Sequence, residues 1–278
     1  MLTDRMQKFL FVEQNIRGVH VCMPQTVANI MQQHQYPQAL HNPLGSCLVA
    51  TVLLINRLKF AGELSLQLQA NGSINLLVAK CNDHLHVRGL AQWDEQADEQ
   101  ALTEDFFEGR LAVTLAANNS TQPFQSIVEL KGQTVSQALE HYFQQSEQLS
   151  TIIVVDINNT LGCGLLLQRM PDSSVDDAMW QQFESRLKML PLDQLALSTE
   201  KLLTQHFSEY DIELYPPKTV QFKCHCSAER MQFAVKSMGR DEVEKILIDS
   251  PTISVACEYC NTKYEMGRAD VDSLFSEQ

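Results

Sequence analysis

The sequence has no run of about 18 consecutive apolar residues, and residues 1–11 lack the basic segment and long apolar stretch of a secretory signal. We therefore expect neither a membrane-spanning helix nor an export signal. Basic residues are also few: the 278-residue chain has 21 Lys and Arg against 34 Asp and Glu, a formal net charge of −13. This charge repels phosphate backbones and argues against general nucleic-acid binding.

Sequence motifs for common catalytic chemistry are absent as well. The chain has no phosphate-binding Walker loop, no dinucleotide-binding GxGxxG after a strand, and no Ser/His/Asp spacing that defines a catalytic triad. The sequence thus provides no candidate catalytic residue, and we expect a protein that is not an enzyme.

The chain contains eight cysteines although it shows no export signal. Disulfide-stabilised proteins belong to oxidising compartments. We therefore expect a cytoplasmic protein whose thiols serve as metal ligands, redox groups or core residues. Two tight pairs lie near the end of the chain, Cys224/Cys226 and Cys257/Cys260. The single cysteines are Cys22, Cys47, Cys81 and Cys163.

Residues 1–172 are predicted to form one α+β domain with an antiparallel-rich sheet. An apolar helical pattern covers 38–59, and leucines alternate with polar residues over 63–69, as in a half-buried strand. Asn71-Gly72 is typical of a tight hairpin turn. Thr134 has the spacing of a helix cap. The other predicted elements are strands over 74–79, 84–90, 111–115, 124–130, 152–155 and 165–168 and a helix over 135–148.

Residues 173–221 are predicted to form a helical linker region. A second helix is predicted over 200–207, with Ser198 or Thr199 as its cap, and Pro216-Pro217 ends any helix. Because this region is too small to bury a core alone, its apolar stripe must pack against a neighbouring domain. The stripe consists of Trp180, Phe183, Leu187 and Leu190.

Residues 222–278 are predicted to form a small C-terminal zinc domain. A unit this short is marginal without a metal or disulfides, and both cysteine pairs lie inside it. Zinc favours four tetrahedral thiolates in structural sites, and His225 is an alternative ligand. Such a closed site leaves no open coordination position, which argues against zinc hydrolase chemistry. The candidate ligands of one Zn²⁺ per chain are Cys224, Cys226, Cys257 and Cys260.

The second cysteine pair lies in a predicted hairpin formed by 253–256 and 263–266. Asn261 follows Cys260 at a position where zinc knuckles often need a positive φ. Asn tolerates that conformation better than most residues other than Gly. The pattern therefore predicts a left-handed residue at the end of the CxxC turn.

The metal site also suggests a switch. Structural zinc contributes about 10–16 kcal/mol of folding free energy, whereas a whole domain nets about 5–15 kcal/mol. Loss of zinc should therefore unfold this unit. A disulfide removes two ligands at once, and a Cys224–Cys226 bridge would distort an extended backbone. We expect oxidation and the zinc fold to exclude each other.

The CxC…CxxC pattern, with Ser227 and Arg230 after the first pair, resembles the heat shock protein 33 family of redox-regulated bacterial holdase chaperones. The likeness runs through nearly the whole chain. It implies an α+β N-terminal domain, a helical linker and a C-terminal zinc domain. The other matching segments are Ile16-Arg17-Gly18, Tyr36-Pro37-Gln38, 58–69, Asn75-Leu76, Arg88-Gly89, 142–149 and 165–171.

The resemblance also implies a mechanism. The reduced, zinc-bound protein is inactive, and oxidants with unfolding stress form Cys224–Cys226 and Cys257–Cys260 disulfides and release zinc. The zinc domain and linker then unfold and expose apolar surface. That surface binds unfolding client proteins without ATP, and the active form is a homodimer. No nucleic acid or membrane is among the expected partners.

The sequence departs from the family at two places. Asn261 stands where a glycine is usual, and Gly162-Cys163-Gly164 stands where Gly-Gly is usual, which adds a thiol to a predicted glycine-rich turn. Neither departure removes a candidate ligand.

Two other functions remain open on the sequence alone. One is a zinc-ribbon-like binding module for nucleic acid or protein, although 222–278 carries more acidic than basic residues. The other is a thiol–disulfide oxidoreductase that uses Cys257 and Cys260, although no thioredoxin-like βαβ pattern surrounds them.

The single cysteines receive different predictions. Cys47 lies on the apolar helix and is expected to be a core thiol. Cys22 and Cys81 lie in strand-like segments as buried or incidental thiols. Cys163, in the predicted glycine-rich turn, is the candidate for off-pathway oxidation.

Two further features concern the surface. His84 and His86 are predicted to share one solvated strand face rather than to bind a metal. The linker stripe is ordinary helix packing in the folded state, and the sharper hypothesis is that it becomes client-binding surface when its support unfolds. The net charge of −13 would keep such an opened protein soluble.

Overall fold

The computed structural model describes residues 3–55, 61–70, 72–104, 109–120, 122–130, 134–158 and 161–276. The chain divides into two compact units, Met1–Lys223 and Cys224–Gln278. Both units combine helices with antiparallel strands, so the predicted α+β class is confirmed.

Strands occur in both units, and the last two along the chain belong to the second. In chain order, the strands are Arg5–Phe11 (β1), Ile16–Cys22 (β2), Gly62–Ala70 (β3), Ile74–Asn82 (β4), His86–Trp93 (β5), Gly109–Ala117 (β6), Phe124–Glu129 (β7), Thr151–Asn158 (β8), Leu161–Arg169 (β9), Ile212–Leu214 (β10), Lys218–Thr219 (β11), Gln221–Phe222 (β12), Thr252–Ala256 (β13) and Lys263–Gly267 (β14).

Helices separate the strands and fill the region before the second unit. They are Pro24–Gln33 (α1), Gln38–Ile55 (α2), Glu99–Glu104 (α3), Val135–Tyr142 (α4), Asp177–Lys188 (α5), Leu192–Leu195 (α6), Thr199–His206 (α7), Ala228–Met238 (α8), Arg240–Asp249 (α9) and Arg268–Ser276 (α10).

The strands of the first unit form two sheets. Sheet I has the order β10-β1-β2-β9-β8, with β11 also paired to β1, and its pairs are antiparallel. Sheet II has the order β12-β5-β4-β3-β6-β7. Its strand β12 runs parallel to β5, and its other pairs are antiparallel.

Helix α2 lies in the main apolar core and contacts strands of both sheets. Among the described residues it is the one helix that has the length and apolar composition of a membrane span. Small and polar residues interrupt its apolar run, but its mean hydropathy over 18 residues stays high. The test of consecutive apolar residues therefore overlooked it. Since 72% of its residues are buried inside the unit, it packs as a core helix.

The predicted linker region packs inside the first unit. Helices α5, α6 and α7 cover the face of sheet I that points away from α2. Phe11 of β1 contacts Phe183, Phe207 and Tyr210 edge-on, with ring centroids 5.1–5.6 Å apart. The predicted stripe is therefore the underside of these helices, with Phe183 2% exposed and Leu187 fully buried.

A polar latch holds the linker at residues 195–199. The buried His20 of β2 makes two hydrogen bonds to the linker. Because a carbonyl oxygen can only accept, the His20 Nε2–H donates to the Leu195 carbonyl (2.8 Å). The neutral His20 Nδ1 then accepts from the Thr199 hydroxyl (2.9 Å). The Arg5 guanidinium donates to the Leu197 carbonyl (2.6 Å). Sheet I thus binds the linker through hydrogen bonds as well as apolar contact.

The predicted boundary of the last unit lies close to the observed one. The chain divides between Lys223 and Cys224, two residues after the predicted break at 221/222. The reason is that Phe222 pairs with Val87 of β5 and the Lys223 N–H donates to the Val87 carbonyl. These contacts hold 221–223 in the first unit.

Most of the predicted elements are confirmed. The apolar helix is observed as Gln38–Ile55, and the alternating strand as Gly62–Ala70 with Leu64, Leu66 and Leu68 buried. The Thr134 side chain accepts a hydrogen bond from the Gln137 N–H, as its capping role requires. Residues 56–60 and Asn71 of the predicted hairpin turn lie outside the described residues.

Two predictions are wrong. His84 lies in a turn in which Leu85 has a φ of 58°, so it does not share a strand face with His86. The segment around Cys163 is not a turn but part of β9, and its glycines are needed because a Cβ at Gly164 would lie 2.7 Å from the Val49 side chain. The helix predicted over 135–148 is confirmed, with the difference that Val135–Tyr142 is α-helical and Phe143–Glu147 is π-helical.

The latch makes the first unit sensitive to acid. Burial, with the Arg5 charge adding to it and the Leu195 hydrogen bond opposing it, lowers the pKa of His20 to about 4, against about 6.5 in an unfolded chain. Because the unfolded chain binds the proton more readily, the free energy of unfolding should fall between about pH 6.5 and pH 4, by about 3 kcal/mol at most.

Urea unfolding of the first unit at several pH values measures this loss. His20→Gln should flatten the pH dependence, whereas His84→Gln, in an exposed turn, should leave it unchanged. An unchanged pH dependence in His20→Gln would show that the latch histidine does not sense acid.

Candidate metal centre

The second unit has a small apolar core. Helices α8, α9 and α10 and the hairpin of β13 and β14 contribute one or two buried side chains each. A core of this size does not by itself stabilise a folded unit, so a cross-link is needed. The buried core residues are Val235, Val243, Leu247, Ile253, Met266 and Val271.

The four cysteines of this unit lie together. All four Sγ atoms are within 4.8 Å of one another, and Cys257 is buried while the other three are partly buried. The Sγ atoms of Cys224 and Cys257 are 3.7 Å apart, and those of Cys226 and Cys260 are 3.4 Å apart. Among the described residues, these four thiols form the group that could hold a metal ion, and His225 is not a member of it.

The spacing of the sulfur atoms fits a tetrahedral metal ion. Four thiolates at about 2.3 Å from a zinc ion form a tetrahedron whose S···S edges are about 3.8 Å. The observed contacts of 3.7 and 3.4 Å and the 4.8 Å limit match such a tetrahedron after small adjustments. The four thiols can therefore hold a metal ion.

The hairpin places Cys257 and Cys260. Strand β13 ends at Ala256, and the Cys257 N–H donates to the Thr262 carbonyl at 3.0 Å. The turn closes when the Asn261 N–H donates to the Cys257 carbonyl at 2.8 Å. Asn261 has a φ of 51°, so the predicted left-handed residue and the predicted hairpin are both confirmed.

The residues after the first pair shape its backbone. The Ser227 side chain caps α8 by accepting from the Arg230 N–H, and the Arg230 guanidinium donates to the His225 carbonyl at 2.8 Å. The start of α8 thus fixes the loop that carries Cys224 and Cys226. The matched residues Ser227 and Arg230 support the site although neither is a ligand.

Two hydrogen bonds to the sulfur atoms escaped the sequence analysis. The Tyr264 hydroxyl donates to Cys226 Sγ at 3.1 Å, and Cys260 Sγ lies 3.2 Å from the Thr262 hydroxyl. A signal for them existed, because Thr262 and Tyr264 lie one and three residues after Asn261 in the predicted hairpin. Hydrogen bonds of this kind orient thiolate ligands and tune their basicity.

The thiols differ in acidity. Burial raises the pKa of Cys224 to about 12 and raises that of Cys257 as well. For Cys260, burial is outweighed by hydrogen bonds from Thr262 and from Cys226 and Cys224, which together lower its pKa to about 7. Cys260 therefore ionises more readily than Cys224 or Cys257.

The four single cysteines lie in the first unit. Cys47 and Cys81 are buried, and burial raises the pKa of both, so the predicted core role of Cys47 is confirmed. Cys22 and Cys163 are also buried, and their Sγ atoms lie 2.7 Å apart. No local sequence pattern indicates this contact, since 141 residues separate the two cysteines.

Comparison with known proteins gives concordant matches. The family model described as Hsp33 protein matches residues 4–267. The 33 kDa chaperonin of Nitrosococcus oceani is 36% identical over 276 residues, which is 99% of this chain and 95% of the relative. The 33 kDa chaperonin of Neisseria meningitidis serogroup A is 33% identical over 99% of this chain and 92% of the relative.

A solved structure shares the fold. The crystal structure of the 33 kDa chaperonin (heat shock protein 33 homolog) of Thermotoga maritima superposes with a TM-score of 0.83 at 21% sequence identity and covers 98% of both chains. Since the curated relatives are named chaperonins, a chaperone function is supported. The match to the family model and the identity to relatives along nearly the whole chain show that this protein belongs to the Hsp33 family.

Proposed function

We propose that the protein is a redox-regulated, ATP-independent holdase that protects unfolding proteins from aggregation under oxidative stress. The proposal rests on one observation above all: four thiols lie within 4.8 Å of one another in a unit with a small apolar core. Family membership supports the chaperone part of this proposal. The proposed setting is the cytoplasm, where thiols stay reduced until oxidants accumulate.

Zinc is the proposed occupant of the site, one ion per chain. Cys224, Cys226, Cys257 and Cys260 would hold it, and it would supply a structural cross-link rather than a reactive centre. In a closed set of four thiolates, no coordination position is open to substrate. We therefore propose no enzymatic role.

Oxidation of the ligands would be the signal. For each disulfide, two thiolates give two electrons to a peroxide, whose O–O bond breaks as it takes up two protons and forms two waters. Cys224–Cys226 and Cys257–Cys260 are the proposed pairs, since the members of each are neighbours along the chain and closing a short loop costs little entropy. Without thiolates the zinc is released, and the unit loses its cross-link.

The linker provides the apolar surface that such a switch would expose. Cys224 follows the short strands β10, β11 and β12, which pair with β1 and β5. After unfolding of the second unit, these short pairings would hold the chain beyond the linker helices. If α5–α7 leave sheet I, both the linker stripe and the sheet face under it become accessible. The residues of that face include Phe9, Phe11, Ile152, Leu165 and Leu167.

Unfolding client proteins are the proposed partners, and they would bind this exposed apolar surface. The open form would also pair as a homodimer, because two copies expose the same surface. The formal charge of −13 would keep the open protein in solution. We propose no nucleic acid or membrane as a partner.

The central test counts zinc, thiols and client aggregation together. Peroxide at a temperature that unfolds the second unit should release about one zinc per chain and oxidise the four ligands. The treated protein should suppress light scattering by a thermally unfolding client. Cys257→Ser should fail to hold zinc, and His225→Gln, which changes the neighbouring imidazole, should hold it like the wild type.

The decisive contrast is between the reduced and oxidised forms. If the reduced, zinc-loaded protein already suppresses aggregation fully, redox control is excluded. Loss of zinc binding in His225→Gln would instead make the histidine a ligand and overturn the four-thiolate assignment.

A second experiment tests the hydrogen bond to Cys226. Tyr264→Phe removes the donor 3.1 Å from the sulfur atom, and loss of such a contact weakens metal affinity by about 10–100-fold. Competition with a chromophoric chelator measures the affinity. Tyr215→Phe, at a half-exposed tyrosine of the first unit, is the control and should bind zinc like the wild type.

A third experiment follows the linker. The chain has two tryptophans, and Trp180 packs at the edge of the linker cluster. In a Trp93→Phe background, Trp180 emission should shift to the red after oxidative activation because the indole becomes wetter. The same protein heated without oxidant and cooled again provides the control. An unchanged emission maximum in an activated sample would contradict linker opening.

A further inference from the structure

Cys22 and Cys163 face each other on the two central strands of sheet I. They are direct partners in the antiparallel register of β2 and β9, and their Sγ atoms are 2.7 Å apart. The next pair along, Met23 and Gly162, is hydrogen-bonded, since the Met23 N–H donates to the Gly162 carbonyl at 2.7 Å. Hydrogen-bonded and non-hydrogen-bonded pairs alternate, so the two cysteines form a non-hydrogen-bonded pair.

This register suits a disulfide. The Cα atoms of a non-hydrogen-bonded pair are about 4.5 Å apart, and a disulfide accepts Cα separations of about 4.4–6.8 Å. The side chains already point toward each other. Bond formation therefore requires only a small approach of the two sulfur atoms and no movement of a strand.

Both thiols lie on the face of sheet I that the linker covers. On β2, Cys22 shares a face with His20, which binds Leu195 and Thr199 of the linker. On β9, the neighbouring Gly164 faces α2, where its space is filled by Val49, so Cys163 points the opposite way. The two cysteines belong to the same buried cluster as the apolar side chains of α5, α6 and α7.

The two thiols differ in acidity. The hydrogen bond from Cys163 lowers the pKa of Cys22 against the opposing effect of burial, and the nearby charge of Arg5 acts in the same direction. The same hydrogen bond and burial raise the pKa of Cys163. Of the two, Cys22 is therefore the thiol that loses its proton first.

We propose that Cys22 and Cys163 form a second oxidation site, which a peroxide converts to a cross-strand disulfide once the linker has left sheet I. This proposal rests on the proposed function for one step only, the departure of the linker helices from sheet I. In the closed protein both side chains are fully buried, and the linker shields them from the oxidant. The new bond would join β2 to β9 and hold the exposed face of sheet I together while the linker is unfolded.

The reaction balances with the peroxide as the oxidant. The Cys22 thiolate attacks one peroxide oxygen, an S–O bond forms, the O–O bond breaks, and hydroxide leaves and is protonated to water. The Cys163 sulfur then attacks Cys22 sulfur and displaces hydroxide, which takes the Cys163 proton and leaves as a second water. Overall, two thiols and one hydrogen peroxide yield one disulfide and two waters.

Peptide mapping of the full-length protein without reduction tests the site. Peroxide with heat should yield the cross-linked peptide pair that contains Cys22 and Cys163, while peroxide at room temperature should yield it at least ten times more slowly. Cys47 and Cys81, which are buried in the other cluster of the first unit, are internal controls and should stay thiols. Cys163→Ala should remove the cross-link and lower the number of oxidised thiols by two.

A linker variant separates this inference from the zinc switch. Phe183→Ala removes a ring that packs on Phe11 and loosens the linker without touching the second unit. At room temperature its cross-link should form several times faster than in the wild type, while its zinc content stays at one per chain. Wild-type protein in urea below its unfolding transition gives a second way to loosen the linker if Phe183→Ala does not fold.

The outcomes distinguish the two proposals. A cross-link that forms equally fast in the closed wild type overturns the shielding by the linker, and its absence from both heated and loosened samples overturns the oxidation site. Formation of the cross-link in loosened, zinc-loaded protein supports the site even if oxidation of the zinc ligands leaves client aggregation unchanged. In that case only the proposed holdase switch fails.

Discussion

The stability of the second unit depends on four cysteine sulfur atoms that lie within 4.8 Å of one another. Its apolar core is small, so most of its stability must come from a cross-link. Four thiolates within 4.8 Å repel one another strongly unless a cation lies between them. Burial raises the pKa of Cys224 and of Cys257, so the ionised forms of these two thiols also carry a desolvation cost. A metal ion bound by the four sulfur atoms would remove the repulsion and add the cross-link, so that folding of the unit and metal binding would be coupled.

The two faces of sheet I pack against different parts of the chain. One face packs against α2, which also contacts sheet II and belongs to the larger cluster. The other face is covered by three short linker helices, and their hold includes the hydrogen bonds of His20 and Arg5. Such bonds contribute only about 0.5–1.5 kcal/mol each. Departure of the linker helices, which the proposed switch needs, would leave the contacts between α2 and sheet I in place.

Sequence reasoning succeeded where local pattern carries the information. The alternation in β3, the cap at Thr134 and the positive φ of Asn261 follow from a few neighbouring residues. It placed Cys22 in a strand-like segment but gave β2 no bounds, because six of the seven residues of this strand are buried and the usual alternation of buried and exposed positions is missing. The Cys22–Cys163 contact depends on strand register between residues 141 apart, which no local pattern specifies. Helices α8 and α9 were not predicted, because the segment between Cys226 and Cys257 was considered only as the spacing between two pairs of ligands.

The choice of disulfide partners decides whether oxidation opens the second unit. In the folded unit, the Cys224 and Cys257 sulfur atoms are 3.7 Å apart and those of Cys226 and Cys260 are 3.4 Å apart. Bonds between those partners would close long loops and replace the metal with a covalent cross-link, which would keep the unit folded. Bonds between chain neighbours close very short loops and leave the two halves of the unit unconnected. In the proposed switch, an unfolding stress that loosens the unit would favour the bonds between chain neighbours, which is a physical reason for an oxidant and an unfolding stress to act together.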